Sequence, residues 1–432
     1  MTRFDRVFEI TGYGAIADGK TDNTKAIQAA LDACAASGGG TVVIPSGVFC
    51  TGSILLSSHT TLYLENSAVL SFRDEIDSYP LIATYSEGRS TLAYRPLIFA
   101  DGAEQIAITG MGTLDGKGAG WWDRHRKGAL AYPRPRFIGF QHCRHVLIEQ
   151  VKICNSPSWT ISPVYCSQVL IDKVKISNPP DSPNTDGINP DSCQDVQISN
   201  CHIDVGDDCI ALKAGQETRE PKVPCENIVI TNCIFMRGHG GVVIGSEMSG
   251  GVRNVAISNC VFQGTDRGIR IKTRRFRGGL VENICISNSI MEKVICPLVI
   301  NMRYRCGTTE KDQWVYDETP YPIDEKTPII RKISLSHLMA RDVHAAALFL
   351  EGLPEMPLQQ ISLSDVVIEM ALDPQKGLPA MMYHSDEMAG KGMIARHVKD
   401  LSFFFVRTAH IEGQPYQFEQ CQDVRIYACN HK

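Results

Sequence analysis

The sequence predicts an all-β fold, a right-handed single-stranded parallel β-helix with an N-terminal capping helix. Three observations predict it: a repeat of 23 to 32 residues, period-2 alternation inside each copy, and columns of identical residues at one bend of the repeat. The repeat is an apolar-x-apolar pair followed three residues on by another. It reads Val146, Ile148, Val151, Ile153, then Val169, Ile171, Val174, Ile176, then Val196, Ile198, Cys201, Ile203. Ile228, Ile230, Cys233, Phe235 and Val255, Ile257, Cys260, Phe262 continue it, and looser copies begin near Gln105, Asn283, Lys332, Gln360, Asp400 and Asp423. These make eleven copies, and the central ones are spaced by 23, 27, 32, 27 and 29 residues, the length of one coil. A single strand of this kind cannot bury its apolar face alone; stacking coils in parallel does, and pairs every backbone donor and acceptor with the coil above and below.

The bend columns fit that stack. Asn200, Asn232, Asn259 and Asn288 share one bend position, where Asn tolerates left-handed dihedrals and side-chain amides can stack in a hydrogen-bonded column. Cys201, Cys233 and Cys260 hold the next position and read as a buried column of small side chains. From Asn23 to Ala36, the residues Ala26, Ile27, Ala30, Leu31 and Cys34 fall on one helical face, with Gly38-Gly39-Gly40 as the stop. That helix is expected to cover the open end of the stack, where core and strand edge would otherwise meet water. Long polar insertions are expected at about 115–136, 302–328 and 373–396, and loops on a rigid stack are where a cleft is built. One β-helix domain over residues 1–432 follows, with its opening and cap in about 1–60, catalytic coils in about 140–305 and C-terminal coils in about 330–432.

Composition sets the class. Apolar residues are 43% and charged residues 21% of 432 residues, which excludes a disordered chain. No stretch reaches the roughly 18 apolar residues of a membrane span. The net charge of −5 (43 minus 48) excludes a nucleic-acid binder working through a basic surface, so an acidic ligand would need a local basic pocket. Sixteen cysteines without a Cys-x-x-Cys pair read as thiols in a reducing compartment. The start, Met1-Thr2-Arg3-Phe4-Asp5-Arg6, has no apolar run behind its basic residues, so a cytoplasmic location is expected.

Aligning consecutive coils locates the chemistry. Thr185-Asp186-Gly187-Ile188, Asp207-Asp208-Cys209-Ile210, His239-Gly240-Gly241-Val242 and Asp266-Arg267-Gly268-Ile269 each form a bend entering a strand. Neighbouring coils sit about 4.8 Å apart, so Asp186, Asp207 and Asp208 converge, with His239 one coil further on. A single Asp at a bend reads most simply as a cap on backbone amides. Three carboxylates on one patch repel one another, which leaves a proton on one group and charge on another, as a general acid and base require. With Ile269 and Ile271 facing the core, Arg270 and Lys272 point together to the outer face, where they would hold a substrate carboxylate. Arg274, Arg275 and Arg277, beyond that strand, either extend this cationic face or form a solvated rim. Carboxylates beside such a shelf point to hydrolysis of a glycosidic bond in an acidic sugar.

The segments Asn184-Thr185-Asp186-Gly187, Gly206-Asp207-Asp208-Cys209, Gly238-His239-Gly240 and Arg270-Ile271-Lys272, in this order, resemble the four motifs of the polygalacturonase family, glycoside hydrolase family 28. Gly12-Tyr13-Gly14-Ala15 with Asp18-Gly19 and Asp22, and Leu114-Asp115-Gly116, resemble further family segments. The resemblance implies Asp207 as general acid, Asp186 and Asp208 as activators of the attacking water, and His239 as a group that tunes Asp207. It also implies Asn184, Arg270 and Lys272 on the substrate, with inversion at the anomeric carbon. Inversion normally asks for carboxyls roughly 6.5–9.5 Å apart, so the acid is expected diagonally from the bases. Members of the family often carry a substrate-contacting Tyr after the Arg-x-Lys coil; here the register offers Arg303 or Tyr304 and leaves both open.

The insertions carry Trp121, Trp122, Tyr132, Trp314, Tyr316 and Tyr321, which are expected to wall off one end of the groove and favour release of units from chain ends. The expected activity is therefore exo-acting hydrolysis of α-1,4-linked galacturonic acid in pectic oligosaccharides, with no metal, cofactor, nucleic acid or membrane involved, and with a homo-oligomer compatible. Three alternatives differ in chemistry: a rhamnogalacturonan-type pectin hydrolase, a calcium-dependent pectic lyase using the three Asp as ligands, and a noncatalytic carbohydrate-binding β-helix.

Overall fold

The computed structural model describes residues 6–432; Met1 to Asp5, where the leader was sought, lie outside the described residues. The chain divides into two units, residues 1–207 and 208–432, and each is a stretch of right-handed parallel β-helix.

In the first unit, Gly40–Ile44, Thr60–Leu64, Glu104–Gly110, Arg144–Glu149, Ser167–Asp172 and Gln194–Ser199 stack in parallel. Ile106, Val146, Val169 and Val196 stand one above another in this ladder, each at most 2% exposed, so the alternation in the sequence is the core face. Val7–Glu9, Gly40–Ile44 and Thr60–Leu64 begin the same row ahead of the copies recognised in the sequence. Their spacing hid them, because a helix lies between the first two. That helix spans Thr24–Ala36 and buries Ile27, Ala30, Leu31 and Cys34 as expected. It starts one residue later than expected, since the Asn23 side chain is drawn to the backbone of Ile16 and the Asp22 carboxylate accepts from Thr24 N at 2.9 Å instead. It ends at Ala36, and beyond it the chain turns at Gly39, whose φ of +111° and 2.6 Å approach of a notional Cβ to His59 leave room for no side chain.

In the second unit, one row runs through Cys225–Thr231, Val252–Ser258, Leu280–Glu292, Ile329–Val343 and Leu358–Met370. A second row is Asp208–Leu212, Gly240–Gly245, Arg267–Lys272, Cys296–Asn301, Ala346–Glu351 and Lys391–Arg396. Ile210, Val242, Ile269 and Leu298 form its inner column, and Ala211, Val243, Arg270, Val299, Phe349 and Ile394 its outer one. The register aligned from sequence for these coils is the register observed.

The Asn bends at 200, 232, 259 and 288 are left-handed, with φ between +48° and +56°. The amide ladder, however, runs elsewhere, from Asn283 to Asn254 to Asn227, each Nδ2 donating to the next Oδ1 at 3.1 Å. At Asn259 the neighbouring hydroxyls compete, and its amide donates to Thr231 Oγ1. Cys201, Cys233 and Cys260 are buried, each thiol directed at the carbonyl two residues back.

Two elements were not expected. A helix, Ala119–Arg126, occupies the first insertion, and strands Leu81–Ser86 and Arg89–Tyr94 pair antiparallel as a hairpin. Its turn, Glu87-Gly88, has both φ values positive at +46° and +75°, the two-residue turn that matches strand twist.

Candidate active site

The residues expected at the site fall in both units, each described by itself. In the first, the Asp186 carboxylate is 3% exposed and accepts from Asn189 Nδ2 at 2.9 Å, while its backbone carbonyl accepts from Thr160 N at 2.9 Å. Asp207 is half-buried, and a carboxylate oxygen of Asp207 lies within 4.8 Å of one of Asp186. The bend can approach this closely because Gly206 has no side chain; a Cβ there would meet the Ser182 carbonyl at 2.5 Å. The two acids do meet.

Asn184 holds a left-handed φ of +52°, and its Oδ1 accepts from Arg134 Nη2 at 2.6 Å. Arg134 also donates to the carbonyls of Pro157 and Pro183 at 2.9 and 2.7 Å, which fixes the bend before Asp186. Burial pulls the Arg134 guanidinium down to about 10, while Glu87, Asp186 and Asp207 nearby act the other way. Neither Arg134 nor Asn189 was found from sequence. Arg134 lies fifty residues away with no signal; Asn189 could have been suspected from its place three residues after Asp186. Beneath the hairpin, Tyr85, Tyr94, Arg134, Arg136, Trp159 and Asn184 line a small cleft of about 80 Å³.

In the second unit, Lys272 Nζ donates to Asp208 Oδ2 at 2.8 Å, and Arg270 Nη1 lies 3.6 Å from Asp208 Oδ1. All three side chains are at least nine-tenths buried. His239 is exposed in the bend just before Gly240, the ladder partner of Asp208. The glycine is required: a Cβ there would lie 2.5 Å from Val243 and 3.4 Å from Asp208 Oδ1.

Arg303 and Tyr304 turn in different directions. The Tyr304 ring sits 5.7 Å from the Arg270 guanidinium and 5.4 Å from Lys272 Nζ, a cation–π distance for both. Burial pushes its hydroxyl up, and that hydroxyl has no hydrogen-bond partner among the described residues. Arg303 turns away. It forms a fork with Glu318 at 2.7 and 2.9 Å, donates to the Tyr316 carbonyl at 2.9 Å and ion-pairs with Glu351 at 3.1 Å. Of the two residues left open by the register, Arg303 has its guanidinium engaged away from the shelf, by buried Glu351 and by Glu318, which is exposed.

Of the two readings of Arg274, Arg275 and Arg277, the solvated rim does not hold. Arg275 is 2% exposed and bonded to Glu355 and to the carbonyls of Trp314 and Asp317; Arg277 is 4% exposed beside Glu217. Arg274 likewise reaches Glu217 at 3.5 Å. These cations tie the 302–328 insertion to the stack. Trp121 does not wall a groove, being buried against Tyr79 and Tyr94, whereas Trp122, whose Nε1 donates to the Ser156 carbonyl at 2.9 Å, lines an open cleft with Arg73, Asp74, Lys117 and Asn155.

Asp186 and Asp207 approach closely enough to share a cation, yet the next residue, Asp208, already holds the ammonium of Lys272. The second unit thus supplies its own positive charge at that carboxylate.

The model for glycosyl hydrolases family 28 matches residues 34–315. The chain belongs to glycosyl hydrolase family 28. Among its family 28 relatives, it is 36% identical to a probable polygalacturonase of Vitis vinifera over 85% of this chain and 75% of that one. It is 30% identical to an endo-polygalacturonase of Pectobacterium carotovorum subsp. carotovorum, over 65% of this chain and 72% of the other. It is also similar to the crystal structure of a hyperthermoactive exopolygalacturonase from Thermotoga maritima, with a TM-score of 0.76 and 33% identity over 85% of this chain and 88% of that one. This family 28 chain is a glycoside hydrolase of the polygalacturonase type.

Proposed function

We propose that the protein hydrolyses α-1,4-linked galacturonic acid residues of pectic oligosaccharides from a chain end, by an inverting acid/base mechanism. The observation that carries this reading is the carboxylate of Asp208 paired with Lys272 and Arg270 under the Tyr304 ring. An acidic sugar brings a carboxylate that such a shelf attracts, and a glycosidic bond needs carboxyl groups of opposite protonation. Asp208, bonded to Lys272 and facing Arg270, takes the part of a base and not of the proton donor. Asp207 gives its proton to the leaving oxygen, Asp186 and Asp208 orient and deprotonate the attacking water, and His239 tunes Asp207. Asn184 and Tyr304 contact the sugar.

End-wise action is supported by two insertions of the second unit. Past Arg270 the outer column turns apolar at Val299 and Phe349, one and two coils of about 4.8 Å further on. There the 371–390 segment lies across the strands: Ala380 is buried with Val299 and Phe349, and Met382 and Met388 pack on them. Arg267 donates to the carbonyls of Leu378 and Pro379, and Arg305 N donates to the Met381 carbonyl at 3.1 Å. Tyr316 of the other insertion meets His384 and Tyr383 at ring-centroid distances of 4.5 and 5.9 Å. A chain cannot run on along strands covered in this way.

Time-resolved chromatography of products from polygalacturonate and from defined oligogalacturonides and rhamnogalacturonan fragments tests the reading. Mono- or digalacturonate from the earliest times is expected. A ladder of mid-length products defeats end-wise action, and turnover of rhamnogalacturonan alone defeats the substrate. An unsaturated product absorbing in the ultraviolet and lost with a chelator would mean a lyase. The buried thiol column supports a reducing compartment, the cytoplasm, which fractionation of the native cells tests.

A further inference from the structure

Arg303 follows Asn301, the strand residue beside Lys272 in the ladder, and precedes Tyr304. Three groups hold it: its N–H donates to Asn301 Oδ1 at 2.7 Å, its guanidinium forks onto Glu318, and Nε ion-pairs with Glu351. The Tyr304 N–H donates to the Thr273 carbonyl at 2.9 Å, so the two-residue segment is gripped from both sides. Glu351 is 4% exposed and Arg303 3%. Glu351 is the ladder partner of both Asn301 and Arg396, so the column Lys272, Asn301, Glu351, Arg396 leads from the sugar-binding shelf to a buried acid.

We propose that Glu351 is a positioning residue: through its ion pair with Arg303 it fixes the segment that presents Tyr304 over Arg270 and Lys272, and so tunes binding of the acidic sugar. The inference rests on the polygalacturonase reading for its substrate. Glu351 is faced by Arg303 from its own side of the stack, by Arg396 of the next coil, by Glu318 of the insertion and by Glu419 beyond it. Glu318 is held in turn by His397 Nε2 at 3.0 Å and Arg396 at 3.3 Å. Burial outweighs the two arginines and pushes the Glu351 carboxyl up to about 7. The clamp therefore carries its full charge above neutrality and loses it below, within the range where an enzyme is assayed.

The test compares wild type, E351Q and E351D for kcat and KM on tri-galacturonate from pH 5 to 8. Gln reproduces the protonated form. Wild-type KM is expected to fall several-fold as pH rises through about 7, E351Q to hold the higher value throughout with kcat within about twofold, and E351D to recover part of the fall. In a Y304A background, E351Q is expected to have no further effect on KM. An effect of E351Q on KM as large with Y304A as without it, or a KM for E351Q that follows pH like wild type, overturns the proposal. A crystal structure of E351Q gives a readout free of the substrate: the Tyr304 ring displaced by an ångström or more supports the clamp, and an unmoved ring overturns it. Absence of turnover on any galacturonide by wild type would refute the substrate reading and leave that structural comparison to decide the clamp.

Discussion

Lys272 Nζ and Asp208 Oδ2 are 2.8 Å apart, though 64 residues separate them along the chain. Two coils of the stack close that gap, and both side chains are at most 8% exposed, so each charge depends on the other for its solvation.

Removing one partner should therefore cost both stability and rate. K272M leaves Asp208 facing Arg270 at 3.6 Å, and is expected to lower stability by about 3 kcal/mol. Chemical denaturation checks it. Turnover is expected to fall with it, and a variant as stable as wild type would show that the pair is not the support claimed.

D207N removes the proton donor proposed for the leaving oxygen. Hydrolysis of oligogalacturonides is expected to drop at least about a hundredfold in kcat. A galacturonide with a nitrophenol leaving group needs little protonation and should be spared most of that loss. Equal losses on both substrates would remove Asp207 from the acid role.

The stereochemical outcome is open to direct observation by proton NMR of the first product. Inversion of an α-linkage gives the β-anomer first, followed by mutarotation. Carboxyl oxygens of Asp186 and Asp207 lie within 4.8 Å of each other, and the anomer formed first tells whether the pair inverts or retains. An α-anomer at early times would assign retention.

Glu351 also sets a pH dependence of stability. Its carboxyl is raised from 4.5 to about 7 in the folded chain, so folding favours the protonated form. The contribution is complete below about pH 4.5 and is lost as pH rises through 7, by a few kcal/mol. The denaturation free energy of E351Q is expected to vary less than that of wild type between pH 4.5 and 8. Identical pH dependence in the two proteins would contradict it.

Sequence pattern reached far into this fold where it acts by repetition. Val146, Val169 and Val196 could be aligned because one side chain per coil must face the same core, and a slip by one residue would turn every one of them to water. The same register carried Arg270 and Lys272 to the outer face. The hairpin Leu81–Tyr94 was written in a two-residue Glu-Gly turn, a weak signal among many glycines. The Asn ladder was assigned to the wrong half of the coil because left-handed bends recur in both halves, and only the nearby hydroxyls of Thr231 and Ser258 separate them.

By itself, then, the sequence determined which residues face in, which face out, and the periodic presentation of acids and bases along the strands, because stacking has a single period to satisfy. Tertiary structure alone decided what the long insertions do. Whether Arg303 or Tyr304 turns toward Lys272, whether Trp121 lines a groove or fills a core, and whether Arg275 meets water or Glu355 depend on contacts between segments with no common repeat. Such contacts follow from volume and charge met in three dimensions, which no spacing along a chain encodes.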